Sequence, residues 1–160
     1  MYQYDTSGNI RVKTKPQNSW GIPAICSYTD SEWGDLLTSV DGNQLTYDEI
    51  GNPLHYWNVS GQLWRFTWQN GRELETATDG YKRIIYSYDV SGIRIEKMVD
   101  GVRHHYTYIG DQLVEETYGN HRIHFAYDEQ GRPYSMTYDG TKYYYVLNLQ
   151  GDVIAIINTS

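Results

Sequence analysis

Tyr81-Lys82-Arg83-Ile84-Ile85-Tyr86-Ser87-Tyr88-Asp89-Val90-Ser91-Gly92 is the stretch that decides the fold. Its first eight residues are rich in Tyr and Ile, which suit a pleated, half-buried surface. Its last four form a turn: Asp89 accepts backbone N–H groups two residues on, and Gly92 takes a left-handed conformation. The same pairing of strand and turn recurs downstream. Val102-Arg103-His104-His105-Tyr106-Thr107-Tyr108 and His121-Arg122-Ile123-His124-Phe125-Ala126-Tyr127 are again rich in β-formers. In the second, His121, Ile123, Phe125 and Tyr127 share one face and Arg122, His124 and Ala126 the other, a period of two.

Glycine sets the punctuation. From residue 42 it falls at 42, 51, 61, 71, 80, 92, 101, 110, 119, 131, 140 and 151. Turn signals at such intervals mark an all-β chain. Two kinds of turn alternate. Asp41-Gly42, Asp79-Gly80, Asp100-Gly101 and Asp139-Gly140 are pairs favoured by two-residue type I′ hairpins, with Gly119-Asn120 in the same role. Longer turns carry an aromatic four residues before glycine: Tyr4-Asp5 with Gly8, Tyr47-Asp48 with Gly51, Tyr88-Asp89 with Gly92, and Tyr127-Asp128 with Gly131. In these the aspartate is read as a turn staple rather than an acid catalyst.

The anchors Tyr47, Trp68, Tyr88, Tyr108, Tyr127 and Leu147 stand 21, 20, 20, 19 and 20 residues apart. About 20 residues is one hairpin. Residues 1–160 are therefore expected to form a single domain of consecutive antiparallel hairpins, one curved sheet of about a dozen strands. The two turn types should segregate to opposite rims. Pro16 and Pro23 interrupt the pattern, so residues 14–27 are expected to be an irregular loop.

Composition narrows the function. The chain has seventeen Tyr and fifteen Gly but two Phe, and thirteen basic against twenty acidic residues give a formal charge of −7. That balance lacks the basic footprint of a nucleic-acid binder. One cysteine, Cys26, makes no internal disulfide and no multi-thiol zinc site. The longest apolar run, Val153–Ile157, is too short to cross a bilayer, and the N-terminus shows no signal-peptide pattern.

The segments Leu45–Leu54, Tyr88–Arg94 and Tyr143–Val153 resemble the YD repeats of bacterial Rhs and wall-associated polymorphic toxin proteins, which also build toxin-complex C shells and teneurin barrels. The resemblance covers almost the whole chain, with four complete Tyr-Asp-x-x-Gly copies. It implies a β-strip spiralling into a cage that encloses and delivers a C-terminal toxin, in a secreted or surface-exposed protein. It also implies that this chain is a fragment of a longer repeat array. The family's self-cleaving core begins with Asp-Pro-x-Gly; no Asp-Pro pair occurs here, so protease activity is not carried over. The expected partners are flanking repeats and the enclosed polypeptide, with no cofactor and no catalytic residue.

A second reading, a carbohydrate-binding or adhesive module, would stack sugars on Trp57, Trp64, Trp68, Tyr143, Tyr144 and Tyr145. An aromatic ladder explains the 20-residue period more simply. His104, His105, His121 and His124 cluster in sequence, but the strand expected over 112–118 separates them, and they are read as hydrogen-bonded or solvated. Glu73/Glu75 and Glu115/Glu116 lack a cleft that would make them glycosidase carboxylates. The edges of the strip, one at Val153–Ile157, invite pairing with a second copy.

Overall fold

A computed structural model of the chain describes residues 2–13, 24–58 and 60–158. Among these, sixteen β-strands and no helix are found, so no helix is long and apolar enough to cross a membrane, a statement that does not concern membrane-spanning strands. The chain divides into two compact units, Met1–Arg72 and Glu73–Ser160.

In the first unit, β1 (Tyr2–Tyr4), β2 (Ile10–Lys13), β3 (Ala24–Ser27), β4 (Ser39–Val40) and β5 (Asn43–Gln44) form a five-stranded antiparallel sheet in sequence order. The hairpin of β6 (His55–Trp57) and β7 (Leu63–Gln69) belongs to a second sheet. The expected single strip is thus interrupted between Gln44 and His55. Pro53 has no N–H to give to a ladder, and only an isolated bridge, Tyr47 to Pro53, forms there. Two backbone bonds, Leu45 N–H to Thr38 O and Leu54 N–H to Thr46 O, carry the chain across the break. Of the expected irregular loop, residues 14–23 lie outside the described residues, whereas Ala24–Ser27 are strand β3.

The second unit follows the hairpin pattern closely. β8 (Glu73–Thr78), β9 (Arg83–Tyr88), β10 (Arg94–Val99), β11 (Val102–Ile109), β12 (Gln112–Tyr118), β13 (His121–Tyr127), β14 (Pro133–Tyr138), β15 (Thr141–Leu147) and β16 (Val153–Asn158) pair antiparallel, each with the next. Cross-strand partners lie on the same face. One face carries Ala77, Tyr106, Ile123, Phe125 and Met136; the other carries Glu96, Arg103, Glu115, Arg122 and His124.

The core is thin. Among the described apolar side chains only Ala77 and Tyr106 are buried. A single layer of sheet covers each side chain only with its lateral neighbours, so most described aromatics are half-buried, while Tyr2, Tyr4, Trp33, Tyr56, Tyr81 and Tyr134 are exposed. β16 is exposed at all six residues, including Val153, Ile154, Ile156 and Ile157.

Two turns depart from the sequence reading. Asp41, Asn70, Asp100 and Asp139 have positive φ together with the glycine that follows, as type I′ pairs require. Asp79 does not: residues 79–82 make a four-residue loop in which its Oδ1 accepts from Tyr81 N–H and Lys82 N–H at 2.9 and 2.6 Å. In Gly119-Asn120 only the glycine has positive φ. The segregation of turn types in the second unit is broken by the tight turn at Gly110, which shares a rim with the turns of Asp89 and Asp128.

Candidate functional site

What recurs is a set of ties between turns. In the long turns the aspartate Oδ1 accepts two backbone N–H groups, two and four residues on. For Asp5 these are Ser7 and Asn9, both at 2.9 Å. Asp48 takes Ile50 and Asn52 at 3.1 and 2.8 Å, Asp89 takes Ser91 and Ile93 at 2.8 and 3.0 Å, and Asp128 takes Gln130 and Arg132 at 2.9 Å each. Gly8, Gly51, Gly92 and Gly131 close these turns with φ of 86°, 85°, 79° and 77°. Asn58 and Asn148 make the same box without a charge. Asn148-Leu149-Gln150-Gly151 holds the same spacing within the Tyr143–Val153 segment.

Hydrogen bonds to the carboxylate favour its charged form. The Asn9 N–H holds the Asp5 carboxyl below the ordinary aspartate range, and the Arg132 N–H does so for Asp128. Asp48 is also lowered: burial pushes it up, and the bonds from Asn52 and Ile50 more than offset that.

The aromatic anchors have a polar function that their period alone did not disclose. Tyr88 donates its hydroxyl to Leu74 O at 2.9 Å, Tyr108 to Arg94 O at 3.0 Å and Tyr127 to Leu113 O at 2.7 Å, each fourteen residues back on the adjacent strand. In the first unit Tyr47 reaches Leu37 O at 2.6 Å, and Trp68 Nε1–H reaches Pro53 O at 2.7 Å. In the second unit each anchor therefore clamps the start of the strand beyond the preceding turn on its rim, whereas Leu37 and Pro53 each lie two residues before a strand, β4 and β6. Tyr4 is exposed, at 60%, and Leu147 has no donor. Burial raises the hydroxyl pKa of Tyr47 and Tyr127, which keeps both as donors over the ordinary pH range.

The opposite rim is sewn differently. The Asp100 carboxylate accepts from Arg83 N–H at 2.8 Å while Asp100 N–H donates to Arg83 O at 3.0 Å, and Asp139 makes the same reciprocal pair with Arg122 at 2.8 and 3.0 Å. Asp41 and Ile25 repeat it in the first unit. Each of these three hairpin turns is thereby fastened to the hairpin before it.

The six residues considered for sugar stacking do not form one platform. All are half-buried. Trp57 pairs with Leu63 and Tyr56 with Trp64, which puts Trp57 on the face opposite Trp64 and Trp68. Tyr144 pairs with Ser135, while Tyr143 and Tyr145 point the other way. The first unit does hold a cleft of about 360 Å³ lined by Trp33, Tyr47, Asp30, Asp48, Glu32 and Glu49. Asp30 and Asp48 are occupied there as turn staples.

β12 does lie between the histidine-bearing strands β11 and β13. His104 Nδ1 meets Glu116 Oε1 at 2.7 Å, His121 Nδ1 meets Asp139 Oδ2 at 2.6 Å, and His124 Nδ1 stands 3.3 Å from Glu115 Oε2. Among the described residues no three His, Cys, Asp or Glu side chains are grouped to hold a metal.

No protein-family model matches the chain. Over 115 residues, 70% of its length, it is 30% identical to the tRNA nuclease WapA of Bacillus subtilis (strain 168). Over 115 residues it is also 31% identical to the tRNA3(Ser)-specific nuclease WapA of Bacillus spizizenii. The chain spans 5% of the length of each of these relatives. The crystal structure of TcdB2-TccC3-TEV is similar with a TM-score of 0.41 and 15% identity, covering 99% of this chain and 11% of that one.

Proposed function

We propose that this chain is a wall segment of a secreted or surface-exposed YD-repeat protein of the Rhs type, whose shell encloses and delivers a C-terminal toxin. Its part is architectural, not enzymatic. The observation that carries the reading is the two-rim stitching, in which aromatic clamps recur about every 20 residues and aspartate boxes about every 40, with Asp-Gly ties on the other rim, so that polar side-chain chemistry concentrates in the turns. Similarity to a small fraction of two long tRNA nucleases supports a parent protein that bears a toxin. The half-buried aromatic face of the sheet is the surface that would look onto the enclosed polypeptide, and the flanking repeats would continue the strands.

The test uses the longer protein that contains this segment. With the shell intact, its toxin portion should resist added protease and show no activity. The double variant Tyr88→Leu and Tyr127→Leu should admit protease to the toxin portion. Equal digestion of the toxin in the intact protein and in isolation would overturn the reading. Isolated from a longer array, the chain should also pair through the exposed β16 edge, and a monomeric mass by light scattering would count against that pairing.

A further inference from the structure

Tyr118 and Tyr138 lie on β12 and β14, which are not neighbours, because β13 runs between them. Two strand spacings put their backbones about 9.5 Å apart. Their hydroxyl oxygens are nevertheless 3.3 Å apart. Both side chains lean over His121 at the start of β13, whose ring is 5.1 Å from Tyr118 and 5.6 Å from Tyr138, centre to centre. His121 Nδ1 is 3.1 Å from the Tyr138 oxygen and 2.6 Å from Asp139 Oδ2. Asp139 cannot swing away, because its Oδ1 is held by Arg122 N–H at 2.8 Å.

We propose that Tyr118, Tyr138, His121 and Asp139 form a binding site for a small, hard trivalent cation, with ferric iron as its probe. Neighbouring ligands around an octahedral ion with bonds of about 2.0–2.1 Å stand about 2.9 Å apart. The separations of 2.6, 3.1 and 3.3 Å along this chain of donors bracket that value. Charge selects the class of ion. Two phenolates and one carboxylate supply three negative charges, which neutralise a trivalent ion and overcompensate a divalent one, and oxygen-rich sets favour hard ions.

The surroundings are compatible with a cation. Lys97 Nζ stands 3.6 Å from Glu116, and Arg122 Nε stands 3.4 Å from Glu115 on the opposite face, so both nearby positive charges are paired. His104 stacks on Tyr118 at 4.5 Å and gives its Nδ1 to Glu116. The His121 and Asp139 side chains are 48% and 36% exposed, which leaves an entry path.

Binding is a displacement of protons. On binding, each phenol O–H gives its proton to water and its oxygen forms a bond to the ion. The imidazole binds through the Nδ1 lone pair with its proton on Nε2, and no electron is transferred. The site is independent of the shell reading.

The experiment is a titration of the whole chain with ferric nitrilotriacetate, read as visible phenolate-to-iron charge-transfer absorbance. One equivalent should saturate the band. Tyr118→Phe with Tyr138→Phe should abolish it, and His105→Ala, on the other face, should leave it unchanged. Asp139→Asn, which keeps the Oδ1 tie to Arg122, should weaken binding at least tenfold with an unchanged melting temperature. Absence of a band in the unaltered chain, a band that survives the double variant, or tighter binding of zinc than of iron would each overturn the assignment.

Discussion

Strands in Met1–Arg72 run from two to seven residues, whereas those in Glu73–Ser160 run from six to eight. Both regions contain the aspartate box, at Asp5 and Asp48 in one and at Asp89 and Asp128 in the other. Both also contain the reciprocal Asp-Gly tie and the aromatic clamp. The local motifs therefore do not set strand length. What differs is their spacing. In the second region, Asp89, Asp100, Asp128 and Asp139 leave room for a full strand between ties. In the first, residues 28–38 carry no strand, and Thr38 instead bonds Ser27 O, Thr29 N–H and the Thr29 hydroxyl.

This comparison can be broken most directly at glycine. A Cβ at Gly51 would lie 2.4 Å from the Trp33 ring, whereas at Gly92 and Gly131 it would meet side-chain tips of Glu73 and Gln112 at 3.4 and 3.2 Å. All three have positive φ. Gly51→Val should cost about 4 kcal/mol, and Gly92→Val and Gly131→Val about 1–3 kcal/mol each. Glu96→Gln and Glu129→Gln should stay within about 1 kcal/mol, Glu96 losing only a surface pair with Arg103. Urea unfolding of the five variants decides it, and equal midpoints would remove the turn assignment.

The clamps come next in size. Tyr88→Phe and Tyr127→Phe keep the ring and lose the bond to Leu74 O or Leu113 O, for about 1 kcal/mol each. Tyr47→Phe should match them if the clamp works alike in both regions. A loss confined to one region would show that the motif depends on strand length after all.

Asp128 separates charge from geometry. Its carboxyl pKa is lowered in the folded chain, chiefly by the Arg132 N–H, so its contribution is full above the ordinary aspartate range and lost as pH falls through the depressed value. Asp128→Asn keeps an Oδ1 acceptor, as Asn58 and Asn148 do, and should flatten the acid side of a melting-temperature profile. A variant with the wild-type acid slope would place that sensitivity elsewhere. The smallest expected effect is a gain. Leu147→Tyr restores the missing donor fourteen residues after Pro133, and should add at most about 1 kcal/mol in the same unfolding assay.

Much of this was legible beforehand, because strands and glycine turns have short periods that one chain displays. In Tyr81–Gly92 the turn and the strand from Arg83 to Tyr88 were legible, although Tyr81 and Lys82 belong to the preceding loop, and the 20-residue spacing marked five side chains that prove to be hydrogen-bond donors. Their partners were not legible. A tyrosine reaching a carbonyl fourteen residues back, or Asp100 reaching Arg83, depends on register, which bulges such as that between Arg94 and Glu96 shift by one residue. The convergence of Tyr118 and Tyr138 over His121 was hidden for the same reason, since it joins strands that are not adjacent. Asp79-Gly80 misled because two extra loop residues changed the turn while leaving the dipeptide intact.

The reciprocal ties have a consequence for how such a gene can change. Each joins a turn to the hairpin immediately before it, so an in-frame duplication or loss of about 20 residues leaves every remaining tie with a partner of the same kind. An insertion of about ten would move each later turn to the other rim, pairing clamps with hairpin turns and stranding both. Length variation in whole hairpins is therefore the inexpensive direction of drift for this chain, and its four Tyr-Asp-x-x-Gly segments stand 43, 41 and 39 residues apart, two hairpins at each step.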